Sequence, residues 1–340
     1  MQSTQRQYQL HTSGEAPAVL RLVDAPVKPP GETQVLLRMR AFSLNRRDIY
    51  VQRGQYPGPR HPIRVPLSDG VGEVSAVGDR VTRFKSGQRV AGIFFQQWLA
   101  GRPKPADMLT ALGGAVDGML SQFVTLDEQG LVAVPDYLSD EEAATLPCAG
   151  VTAWNALVTR GRTHPGDYVL LQGTGGVSVI GLQLALALGA KPIITSSDDD
   201  KLARARQLGA VATINYRTTP DWEKAVLDAS GGGVQQALEV GGAGTLAKTL
   251  ASLALGGHVA LIGGLSSFGG DIPGLSLIGR NVTASGIYVG SRANFEALNA
   301  FLTTNPLRPH VDRVFDYADA PAAYAYMDSK ALFGKVAIRV

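Results

Sequence analysis

In "YVLLQGTGGVSVIGLQLALALGA", the glycines Gly173, Gly175 and Gly176 lie where an apolar run from Tyr168 gives way to a long helical pattern. Glycine there lets the chain turn tightly, and lets backbone N–H groups approach a phosphate at the positive end of a helix dipole. The spacing follows G-x-G-x-x-G through Val177, but the third position is Ser178, a small residue whose hydroxyl either faces the phosphates or plays a structural part in the helix. Further on, "IITSSDDDKLARARQLGA" puts Ser196 and Ser197 at a strand end, where an acidic residue would bind a ribose 2′-hydroxyl. Two serines, with Lys201 and Arg204 a turn or two later, leave room for a 2′-phosphate. Asp198 to Asp200 read as cap and first-turn acids of the next helix. This pattern favours NADP(H) over NAD(H).

Such a turn needs a strand before it and a helix after it, inside a repeating unit. From Tyr168 the chain alternates: "YVLLQG", a helix from Gly176 to Gly189, "PIITSS", a helix from Asp199 to Gly209, and "VATINY". A helix from Asp221 to Ser230, "VQQALEVGG", a helix from Thr245 to Leu255, "HVALIGG" and "NVTASGIYV" complete six strands. That is the pattern of an α/β doubly wound parallel sheet of Rossmann type. Gly241, Gly242, Ile262, Gly263 and Gly264 end the fourth and fifth strands, where backbone groups meet a ribose or carboxamide. Residues 1 to about 95 read instead as short β segments punctuated by Gly and Pro, a barrel-like unit. Residues 96–118 form an irregular excursion long enough to serve as a lid.

The 340 residues are 45% apolar and 18% charged with a formal charge of +3, which predicts a globular chain, two domains and no basic stripe for nucleic acid. One cysteine, Cys148, excludes an intrachain disulfide and a multi-cysteine zinc site. No stretch approaches a membrane span and the N-terminus lacks an apolar leader core, so no membrane is expected and a cytoplasmic location is.

"AFSLNRRDIYVQRGQYPGP", "VPLSDGVGEVSAVGDRVTRFKSGQRV", "LPCAGVTAWNAL", the glycine cluster, "GGHVALIGG" and "GKVAIRV" occur in an order and spacing that resemble the medium-chain dehydrogenase/reductase superfamily. The likeness is to its quinone oxidoreductase-like, zinc-type alcohol dehydrogenase branch. It implies a GroES-like β-barrel catalytic domain, 1–148 with 290–340, split around a Rossmann domain at 149–289, with the active site in the cleft. The family's catalytic zinc positions correspond to Asn45, Ser68 beside Asp69, and Cys148. Two of the three ligands are therefore replaced, and no zinc is expected.

Without zinc, quinones, enones and reactive carbonyls suit the site better than simple alcohols. Asn45 and Ser68 become candidate donors to a substrate oxygen or members of a structural network, with Asp48 orienting them. The resemblance places Arg46 near the pyrophosphate, Thr152 near the nicotinamide phosphate and Tyr216 near the 2′-phosphate; Lys335 is counted with these cofactor contacts. Tyr50, Tyr56, Trp98 and Tyr288 are candidate pocket aromatics, Trp98 opening the excursion. The expected protein is a homodimeric NADPH-dependent oxidoreductase acting on a small molecule, paired through the edge strand "NVTASGIYV". Two alternatives remain: an NAD(H)-dependent alcohol or aldehyde dehydrogenase, and a cofactor-binding protein with little turnover.

Overall fold

The computed structural model describes residues 3–12, 17–59, 61–265 and 274–340. The chain separates into two units, 1–151 with 290–340, and 152–289. The first begins with β1 (Thr4–His11), β2 (Val19–Pro26), β3 (Gln34–Leu44), the short helix α1 (Arg46–Gln52), β4 (Ile63–Arg64) and β5 (Asp69–Val77). There follow β6 (Arg89–Gly92), α2 (Pro105–Met108), β7 (Phe123–Asp127), β8 (Leu131–Ala133) and α3 (Asp140–Ala143). α4 (Val151–Trp154) spans the boundary.

In the second unit, β9 (Tyr168–Gln172) buries Val169, Leu170 and Leu171 completely, as a strand covered by helices on both faces must. After it come α5 (Gly176–Ala187), β10 (Lys191–Ser196), α6 (Asp199–Gln207), β11 (Ala212–Asn215), α7 (Trp222–Ser230) and β12 (Val234–Glu239). α8 (Ala243–Ala251), β13 (Leu253–Leu261), α9 (Gly274–Arg280) and β14 (Thr283–Gly286) complete it. The sheet order is β11-β10-β9-β12-β13-β14, all parallel, so the chain reverses direction between β9 and β12 at the glycine turn.

The chain returns to the first unit through α10 (Arg292–Thr304), β15 (Val311–Asp316), α11 (Ala320–Asp328) and β16 (Lys335–Arg339). The main sheet there runs β15-β16-β3-β5-β6-β8, β7 also pairing with β3, beside a small β2-β1-β4 sheet. Its core includes Leu37, Met39, Phe42, Leu44, Leu67 and Met119. β16 lies antiparallel to β3 with Val336 opposite Leu44, which brings Lys335 beside Asn45.

Two local devices shape the sites. Leu67 is buried with φ +68, a left-handed conformation that costs a branched residue roughly 1 kcal/mol or more. The segment 111–120 holds it there: Met119 N donates to Leu67 O at 2.9 Å, and a Cβ on Gly113 would lie 2.7 Å from the Leu67 backbone. The excursion is thus packed against the strand entry that presents Ser68 and Asp69. In the second unit, a Cβ at Gly181 would meet Leu171 Cδ2 and Leu238 Cδ2, each at 3.1 Å. Gly181, not position 178, is where α5 closes onto β9 and β12.

Gly181→Leu should therefore overpack this contact and destabilise the protein by about 1–3 kcal/mol. Thermal melting reads the outcome, and an unchanged transition would refute the packing role.

Candidate functional site

Four buried charges and three polar residues gather where β3 ends and α1 begins in the first unit. Lys335 Nζ donates to Asn45 Oδ1 at 2.6 Å and to Leu44 O at 2.7 Å, and lies 3.7 Å from Asp69 Oδ2. Ser68 Oγ donates to Asp69 Oδ1 at 2.7 Å, and Cys148 N reaches Asp69 Oδ2 at 3.4 Å. Burial raises the Asp69 pKa, while Lys335 and these donors pull it down. The Cys148 thiol is pushed well up, mainly by burial and then by Asp69, which keeps it protonated.

Asp48 closes the first turn of α1 by accepting from Asn45 N at 2.7 Å. Burial raises its pKa to about 6 against the pull of Arg47. Arg47 is itself buried: its Nη1 donates to Leu112 O at 2.8 Å and stands 3.6 Å from Asp48 Oδ1. Its guanidinium lies over the rings of Tyr56 at 4.8 Å and Phe94 at 4.6 Å.

This cluster is under-satisfied. Among the described residues, nine buried side-chain N or O atoms lack a hydrogen-bond partner, and five are here: Asn45 Nδ2, Arg47 Nε, Arg47 Nη2, Asp48 Oδ1 and Tyr324 Oη. The Asn45 amide influences Asp69, but Nδ2 makes no hydrogen bond of good geometry. Each such group costs about 1–3 kcal/mol, so their concentration in one place marks a site built to receive polar atoms.

At the tip of β9, Gly173 has φ +66, and nothing stands within 4 Å of a Cβ placed on Gly173 or Gly175. Gly175 caps α5, whose first residues are Gly176 and Val177. An open glycine turn at the start of a twelve-residue helix fits the pyrophosphate of a dinucleotide. At the end of β10, Asp198 caps α6 by accepting from Lys201 N at 3.1 Å, and Asp199 accepts from Asn215 Nδ2 at 2.8 Å. Asp198 is thus engaged in helix capping and Asp199 with Asn215, and Ser196 and Ser197 stand at the strand end. Tyr216 is half-exposed, its N–H donating to Ser196 O at 3.1 Å. Thr152 is buried in α4.

Several of the expected site residues have other partners in this structure. Ser178 is buried and donates to Gln172 O at 2.6 Å, so its hydroxyl serves the strand-to-helix turn rather than a phosphate. Arg46 pairs on the surface with Asp328 at 3.0 Å. Lys335, grouped with the cofactor contacts, is sequestered beside Asn45 and Asp69. Trp98 is buried, with Nε1 donating to Gly101 O at 3.0 Å and its carbonyl accepting from Arg292 N, so it is packing rather than a lid.

Gly241 and Gly242 spend their N–H groups on Glu239 Oε1, at 2.7 and 2.9 Å, and Ile262 and Gly263 donate to Glu239 O. These turns are braced from within, and Gly264 follows them. Of the aromatics, Tyr56 lies against Arg47, Tyr50 is half-buried on α1, and Tyr288 is exposed in the second unit. Arg47, Glu239 and Gly181 escaped the sequence reading. The first resembled a surface arginine next to Arg46, and no local pattern announces the other two.

Residues 31–136 match the alcohol dehydrogenase GroES-like domain, and residues 176–304 match the zinc-binding dehydrogenase domain. A zinc-type alcohol dehydrogenase-like protein of Schizosaccharomyces pombe is 42% identical over 318 residues, covering 92% of this chain and 91% of its own. Quinone oxidoreductase-like protein 2 of Bos taurus is 27% identical over 97% of this chain and 92% of its own. A solved alcohol dehydrogenase structure from Sinorhizobium meliloti 1021 superposes with a TM-score of 0.93 at 39% identity, covering all of both chains. A solved structure named NAD-dependent alcohol dehydrogenase gives 0.87 at 33% identity, covering 98% of this chain and 99% of its own. With its GroES-like unit, its six-stranded Rossmann sheet and these relatives, the chain belongs to the medium-chain dehydrogenase/reductase superfamily of oxidoreductases.

Proposed function

We propose that this protein is a zinc-free, NADPH-dependent oxidoreductase that reduces a quinone, an enone or a reactive carbonyl. The observation that carries the reading is the Asn45 amide. Lys335 holds its oxygen at 2.6 Å, so Nδ2 is left as a buried donor with no partner. Such a donor stabilises an acceptor oxygen as negative charge develops on it. When bound, NADPH supplies a hydride from C4 of its nicotinamide. The chain's own part is to receive the acceptor oxygen at Asn45, while water delivers the proton that completes the reduction.

The donor set does not suit zinc. Asn45 Oδ1 already accepts from a lysine and the Ser68 proton is committed to Asp69, so the three positions offer one thiol beside an amide and a hydroxyl, neither of which is an ordinary zinc ligand. No group of three or more His, Cys, Asp or Glu among the described residues is arranged to hold a metal. Preference for NADPH is supported by Ser196, Ser197, Lys201 and Tyr216 near the end of β10, with Asp198 engaged in capping and Asp199 with Asn215. A second reading, an NAD(H)-dependent alcohol or aldehyde dehydrogenase, draws on the relative named for that cofactor.

The outer strand β14, with Ile278 on α9 77% exposed, extends the proposal to a homodimer. Light scattering at micromolar concentration should give twice the chain mass, and a monomer removes it.

Fluorescence titration with both reduced cofactors, followed by turnover on quinones, enones and aldehydes, tests the main reading. Tighter NADPH binding, turnover unaffected by zinc or chelators, and a loss of about 10²-fold in kcat for Asn45→Ala are expected. Tighter NADH binding, or activity that rises with added zinc, favours the second reading.

Asp48 generates a separate expectation. Its folded pKa near 6 lies above the unfolded value of about 3.9, so the folded state prefers its protonated form. The associated stability is present below about pH 4 and is lost as pH rises through 6, an effect of up to about 3 kcal/mol. The wild type should lose stability relative to the Asp48→Asn variant between pH 4.5 and 7. A melting-temperature difference between the protein and Asp48→Asn that stays constant, or moves in the protein's favour, from pH 4.5 to 7 would refute this.

A further inference from the structure

We propose that Arg47 is the receptor for a carboxylate carried by the hydride acceptor, so that the acceptor is an acidic enone, quinone or carbonyl compound. The inference rests on the oxidoreductase reading above and gives it a substrate class.

A guanidinium presents its N–H groups on distinct edges. Nη1 is engaged by Leu112 O and lies 3.6 Å from Asp48 Oδ1, and the Tyr56 side chain also bears on the charge, but Nε and Nη2 are buried with no hydrogen bond of good geometry. Those two form the edge whose N–H vectors run parallel, the geometry that meets both oxygens of a carboxylate at once. The guanidinium carbon lies over the rings of Tyr56 and Phe94, which surround the fork with aromatic carbon. At Gly114 a Cβ would collide with Nη2, so the absence of a side chain there is what lets the group lie as it does.

The surrounding inventory has the same polarity. Asn45 Nδ2 adds a buried donor and Tyr324 Oη a hydroxyl able to donate, while Asp48 Oδ1, which lacks a hydrogen bond, is already ion-paired with Arg47. The Asp69 carboxylate is already occupied by Ser68, Cys148 N and Lys335, and Asp48 by Asn45 N. An excess of unpaired donors calls for an oxygen-rich, anionic partner rather than a cation or an apolar group. Arginine also holds its charge when buried, whereas a lysine would be free to shed its proton.

The test compares 4-oxopent-2-enoate, an acidic enone, with its methyl ester, which presents the same reducible bond without the charge. The protein should reduce the acid with a kcat/KM roughly tenfold or more above the ester, chiefly through KM. Arg47→Lys keeps a positive charge but lacks the fork, and should bring the acid-to-ester ratio close to one. A ratio near one in the wild type, or a preference that survives in Arg47→Lys, overturns the proposal. Binding is read independently of turnover by the melting temperature with saturated 4-oxopentanoate and its methyl ester. If neither enone is reduced, the oxidoreductase reading fails on these acceptors. Selective stabilisation by 4-oxopentanoate then still supports the carboxylate site, and equal or absent stabilisation refutes it.

Discussion

The candidate chemistry of the first unit depends on one long-range pairing, that of the final strand β16 with β3. Its register sets Val336 against Leu44, and one residue earlier Lys335 reaches Asn45 across 290 positions of sequence. A buried ammonium is tolerable only with its donors satisfied and a counter-charge nearby. Leu44 O, Asn45 Oδ1 and Asp69 supply these, from the end of β3 and the start of β5. Removing any one partner would leave a charge stranded out of water, which is why the cluster and the strand pairing stand or fall together. The same ammonium decides which way the Asn45 amide faces, because only Oδ1 can accept from it.

The second unit solves a different problem by related means. Its turns must be open where a ligand approaches and rigid elsewhere. Gly173 and Gly175 leave free space, whereas Gly241 and Gly242 are bound to the carboxylate of Glu239. Glu239 Oε1 also accepts from Thr245 Oγ1 at 2.6 Å, and Oε2 from Gln172 Nε2 at 2.7 Å, tying β12 to β9 and α8. A single buried carboxylate thus stiffens the strand ends on one side of the glycine turn. Similar glycine-rich spellings, "GTGG" and "VGGAG", differ in use, one left open and one consumed in bracing.

That contrast explains how much was legible before the structure. Alternating strand and helix patterns identified the doubly wound sheet, because burial on both faces leaves long apolar runs such as "VLL". The glycine turn was legible for the same reason, being local. What resisted reading was everything set by contacts distant in sequence. Lys335 was assigned to the cofactor although β16 carries it to Asn45. Arg46 and Arg47 are adjacent, yet one is paired at the surface with Asp328 and the other is buried under Tyr56. A seven-residue helix turns neighbouring side chains about 100° apart, and only the packing of loop 111–120 decides which of them faces inward. Trp98 erred in the opposite direction, since an aromatic in a Gly- and Pro-rich excursion has no local mark of being core.

The strained and unsatisfied groups coincide in a way that packing alone does not require. Leu67 is forced into a left-handed conformation immediately before Ser68, and five unpaired polar atoms lie in the same cluster as the Asp69 that Ser68 contacts. Elsewhere in the first unit Glu128 Oε2 accepts from the N–H groups of Thr82 and Arg83 and Ser43 Oγ donates to Val336 O, whereas Arg292 Nε and Asn299 Oδ1 stand as single scattered exceptions. Among the described residues the unsatisfied atoms are thus scattered singly elsewhere and concentrated only here. On the proposed reading, donors such as Asn45 Nδ2 and the Arg47 fork give up stability at one place that the oxygen atoms of a bound acceptor would restore.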